Sequence, residues 1–95
     1  MTIPGSSESP AHDDNAESLA LGALAWVLSD GDRAERLLAL TGLTPDALRA
    51  GVGSRAVLGA VLEFLAGHEP DLVAAADALG TEPQKLADAA RSLTR

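Results

Sequence analysis

Ninety-five residues with a net charge of −7, 46% hydrophobic side chains and no cysteine or tyrosine describe one small acidic domain with a single core. The absence of cysteine excludes a disulfide scaffold, a thiolate nucleophile and any cysteine-ligated zinc or iron–sulfur centre. The acid excess disfavours phosphate backbones and anionic lipid as partners.

Nineteen alanines and 16 leucines, against one Ile, one Phe and one Trp, point to helices rather than strands. The longest uninterrupted apolar run, Leu19 to Leu28, has ten residues; a membrane-spanning helix needs about 20. The opening MTIPGSSESPAHDD has no basic start and no apolar segment, so no secretory leader is expected, and a reducing, cytoplasmic setting is.

In chain order, residues 1–14 are rich in Ser, Pro, Gly and Asp without a hydrophobic period and read as a disordered tail. Residues 15–95 then form one helical domain. Helix 1 is expected from about Asn15 to Ser29, capped by Asp13 or Asp14 and ended by Asp30-Gly31. Helix 2 starts near Asp32 and stops at Gly42. Thr44-Pro45-Asp46 opens helix 3 with a cap, a proline at the first helical position and an acid in the first turn. Gly51 and Gly53 close it. Ser54 caps helix 4, which reaches Gly67. Glu69-Pro70-Asp71 opens helix 5, stopped by Gly80. Thr81 or Glu82 caps helix 6, with Pro83 in its first turn and its end near Leu93. The fold class is all-α, a compact domain of five or six helices.

An internal repeat accompanies this order. Shifted by 37, LGALAWVL (21–28) falls on LGAVLEFL (58–65); shifted by 38, Gly42, Pro45 and Leu48 fall on Gly80, Pro83 and Leu86. The chain reads as two pseudo-repeated three-helix units, about 17–52 and 54–93. Helices 1 and 4, apolar nearly all round, belong at the centre. Gly22 and Gly59 occupy equivalent places on them and are expected to mark their crossing.

Leu21-Gly22-Ala23-Leu24-Ala25-Trp26, Leu40-Thr41-Gly42-Leu43-Thr44-Pro45-Asp46-Ala47-Leu48-Arg49 and Val61-Leu62-Glu63-Phe64-Leu65 carry a family resemblance. From Glu17 to about Leu93 the chain resembles a family of short bacterial proteins known as domain of unknown function 3572. The resemblance implies a small alphaproteobacterial helical protein without an assigned activity. It transfers no catalytic residues.

Several motifs invite a chemical reading. Helix 2, the turn at Gly42 and helix 3 have the outline of a helix-turn-helix, but helix 3 offers one Arg, Arg49, beside Asp46, too little for phosphate anchoring. His68, Glu69 and Asp71 cluster at a junction where helix ends favour those charges without a metal. His12-Asp13-Asp14 reads as solvated charge. Glu63 stands alone in an apolar helix and is expected to be exposed. No catalytic, cofactor-binding or metal-binding constellation is found, and no cofactor is expected. Helices 5 and 6 are Ala-rich and thin, so Leu24, Trp26, Val27 and Leu28 are expected to remain partly uncovered as an interaction surface. The leading expectation is a non-enzymatic helical interaction or regulatory module that takes an unknown protein partner or forms a homodimer. A nucleic-acid-associated protein and a small-ligand or metal binder are the alternatives.

Overall fold

A computed structural model describes residues 4–94, with side chains from Asn15 onward. Of the tail expected over 1–14, residues 1–3 lie outside the described residues, and the backbone of 4–14 belongs to the first helix, which begins at Pro4 rather than near Asn15. Six helices follow one another: α1 (Pro4–Leu28), α2 (Gly31–Thr41), α3 (Pro45–Ala50), α4 (Arg55–Ala66), α5 (Glu69–Leu79) and α6 (Pro83–Thr94). No strand occurs among the described residues.

Small polar side chains set the helix starts. Asp30 accepts hydrogen bonds from the backbone N–H of Asp32 (2.9 Å) and Arg33 (3.3 Å). It therefore caps α2 rather than only ending α1, and Ser29 and Asp30 alone separate the two helices. Thr44 Oγ1 accepts from the Ala47 N–H (3.0 Å) at α3, and Ser54 Oγ from the Val57 N–H (3.4 Å) at α4. Each satisfies a donor that the first turn leaves without a partner. Gly42 (φ 77°) and Gly80 (φ 70°) end α2 and α5 in the left-handed region, where a Cβ would be strained.

The core is built around α4, which touches α1, α2, α5 and α6. Its Leu58, Val61, Leu62 and Leu65 are buried. From α1 come Ala16, Ala20, Ala23, Leu24 and Val27, and from α6 Leu86, Ala89, Ala90 and Leu93. The spacings are helical, so each set forms one stripe. α2 adds Leu37, α3 adds Leu48, and α5 adds Ala75 and Ala76.

Two expectations change here. The glycines do not mark a crossing of α1 with α4. A Cβ on Gly59 would lie 2.8 Å from Thr94 Cγ2 and 3.3 Å from Leu93 Cβ, both on α6; one on Gly22 would lie 3.1 Å from Leu79 Cδ2, on α5. Each glycine admits a helix of the second half. The two halves also play unequal roles: α3 has six residues and one buried side chain, α6 twelve residues and four. The repeat of cap residues is thus not a repeat of packing.

Candidate interaction surface

Leu24 and Val27 are 5% and 0% exposed. They belong to the core and not to a surface, contrary to expectation. The physical reason is the alanine content that makes the outer helices look thin. Ala75, Ala76, Ala89 and Ala90 are themselves buried, and small side chains let helix axes approach toward about 8 Å instead of leaving gaps.

Trp26 is half-buried against the core and roofed. The turn at Ser29–Asp30 brings Arg33 back so that its guanidinium carbon stands 3.6 Å from the ring centroid, a stacked cation–π contact. Arg33 also reaches the Trp26 carbonyl at 3.5 Å and pairs with Asp30 at 3.9 Å. A cation at this place complements the negative end of α1. Trp26 is therefore not a bare hot spot. Of the four residues expected at the surface, Leu28 is the one that is open, at 48%. One and two turns back lie exposed Ala25 and Leu21.

The most exposed large apolar side chain lies elsewhere, outside the expected surface. Leu40 on α2 is 74% exposed and forms, with Thr41, one wall of a groove of about 480 Å³ against α4. Ala60 and Phe64 line the α4 side, and Gly67 and His68 one end. Glu63 stands at the groove and is exposed, as its sequence context suggests. Leu37, Leu38 and Leu40 lie within about 160° of the helical circumference, with Leu37, the buried one, between the other two. A stripe of that width fits one face, so the spacing does not show that Leu40 is the leucine left open.

His68 Nδ1 lies 3.1 Å from Asp71 Oδ2, and Arg36 Nη1 reaches the same oxygen at 3.1 Å. The cluster expected as a helix-end pattern is thus also a clasp between α2 and α5. Among the described residues no group of three or more His, Asp or Glu is placed to hold a metal ion. His12, Asp13 and Asp14 lie outside the residues described with side chains. Arg49 on α3 pairs with Asp46 one turn earlier.

Five bases among the described residues are engaged in ion pairs: Arg33, Arg36, Arg49, Arg55 and Arg91. Six exposed acids, Asp32, Glu35, Glu63, Glu69, Asp77 and Glu82, make none among the described residues. The surface potential is therefore negative not only in sum but in the charges left available. No helix among the described residues is long and apolar enough to cross a membrane.

A family model described as Protein of unknown function (DUF3572) matches residues 13–95. No curated protein and no solved structure matches the chain.

Proposed function

We propose that this chain, which belongs to the DUF3572 family, is a non-enzymatic helical module that binds another protein. One observation carries the reading: large apolar side chains stand open on a small domain. Leu40 is 74% exposed, and Leu21, Leu28, Val52 and Val73 are 44–48% exposed. Leu40 shares one groove with Ala60 and Phe64, and apolar side chains gathered in a groove mark interfaces more often than those scattered singly. A reducing, cytoplasmic setting fits a chain without cysteine. The test is recovery of a tagged chain from native bacterial lysate, compared with Leu40→Glu and Leu28→Glu. The reading expects a stoichiometric companion that one of the variants loses while keeping its circular dichroism spectrum. Identical recoveries from all three proteins would refute it.

Self-association is the second reading, and a specific feature favours it. From Ser18 to Leu28 α1 carries no charge, and Leu21, Ala25 and Leu28 line one exposed side of that stretch. Two copies could meet there despite a charge of −7 each. Light scattering coupled to size exclusion should show a dimer that Leu21→Glu disperses. A monomer at every concentration tried removes this reading.

A further inference from the structure

We infer that the groove between α2 and α4 takes a lysine- or arginine-bearing amphipathic helix of another protein, a proposal that rests on the interaction-module reading above and names its partner's chemistry. The apolar part of the site is lined by Leu40, Ala60 and the outer edge of Phe64, which is otherwise buried. Leu40 leaves three quarters of its surface open, so an occupant that inserts a large aliphatic or aromatic side chain covers both walls at once. An apolar stripe entering a groove between two helices is a recurring mode of recognition.

The charge of the occupant follows from three sources of negative potential at the same place. Glu63 presents a carboxylate with no ion-pair partner among the described residues. α4 ends at Gly67, on the groove, with no basic residue in its last turn. α2 ends beside it at Thr41, likewise without one. Helix C-termini carry partial negative charge that a cation stabilises, and here neither helix supplies its own. His68, the one nitrogen-bearing side chain among the described lining residues, has its Nδ1 at Asp71. A partner whose apolar stripe is flanked by Lys or Arg, one helical turn from the inserted residue, meets all three.

A second copy of this chain fits the groove poorly. Its described arginines are already ion-paired, its one lysine, Lys85, stands beside Asp88 in a cleft between α1 and α6, and its net charge of −7 repels another copy. Phosphate-bearing partners meet the same repulsion.

The probes are two fluorescein-labelled synthetic helical peptides with one leucine stripe, flanked by lysines in one and by glutamates in the other. Anisotropy titrations against the full chain should show saturable binding of the lysine peptide, weakening as salt rises, and none of the glutamate peptide. Leu40→Glu should weaken that binding by about tenfold or more, as expected for a central contact. Glu63→Gln should weaken it less and flatten its salt dependence. Both side chains are exposed, so unchanged circular dichroism and Trp26 emission confirm that each variant is folded. The inference is overturned if the lysine peptide does not bind, if both peptides bind alike, or if Leu40→Glu leaves binding unchanged. Should the peptide fail while light scattering shows a dimer that Leu40→Glu disperses, the occupant is a second copy: this inference falls and the interaction reading survives.

Discussion

Gly59 sets how near α6 can come to α4. Its missing side chain is replaced by Leu93 and Thr94, with Thr94 Cγ2 only 2.8 Å from where a Cβ would be. Gly59→Leu is expected to destabilise by roughly 1–3 kcal/mol through overpacking, although leucine is the better helix former. Urea unfolding followed by circular dichroism measures it, and an unshifted midpoint would mean that α6 does not pack there. Trp26 offers a second check at this scale. Removing its roof with Arg33→Ala should shift the tryptophan emission to longer wavelength and cost about 0.5–2 kcal/mol. Emission that stays put would show that something other than Arg33 shields the ring.

Among the elements, α3 is the weakest. It has six residues, and Leu48 alone fixes it to the core. Its amides should exchange with deuterium well before those of α4, whose buried face meets four other helices. Equal protection would mean that α3 opens only with the whole fold. The clasp between α2 and α5 is the other element-scale test. Asp71 is mostly buried and lies 3.1 Å from both Arg36 and His68, whose own side chains are half exposed, so Asp71→Ala should lower stability in urea unfolding by about 1 kcal/mol or less, the range for ion pairs with exposed partners. Helix starts and stops are legible in the sequence because caps are local: Thr44, Ser54, Gly42 and Gly80 each act within a turn of their own position. Tertiary partners are not. Gly22 and Gly59 signal close approaches, and both are found, but nothing within a turn of either says which helix arrives. Alanine in α5 and α6 suggests missing bulk, whereas in the fold it shortens the distance between helices. That difference is why Leu24 and Val27, expected at the surface, are buried.

For the whole molecule the decisive quantity is unbalanced charge. Ion pairs such as Arg49–Asp46 and Arg91–Asp88 are mostly exposed, and pairs of that kind contribute only about 0–1 kcal/mol each. Repulsion among Asp32, Glu35, Glu63, Glu69, Asp77 and Glu82 acts against the compact state. Salt screens attraction and repulsion alike, and the repulsion is the greater of the two. Moderate sodium chloride is therefore expected to raise the melting temperature slightly. A fall would show that the ion pairs outweigh the repulsion.

The position of α6 against α4 also bears on how the chain is made. Leu58, Val61, Leu62 and Leu65 of α4 are buried in a core to which α6 adds Leu86, Ala89, Ala90 and Leu93, and α6 is synthesised after the five helices α1 to α5. At about 5–20 residues per second, the stretch from Ala66 to Leu93 takes on the order of 1–5 s to translate. For that interval the nascent chain holds an unfinished apolar surface, and it cannot fold vectorially from its first helices. Chains stalled on the ribosome before Leu86 should therefore remain protease-sensitive, and the native state should form in one step once α6 has emerged.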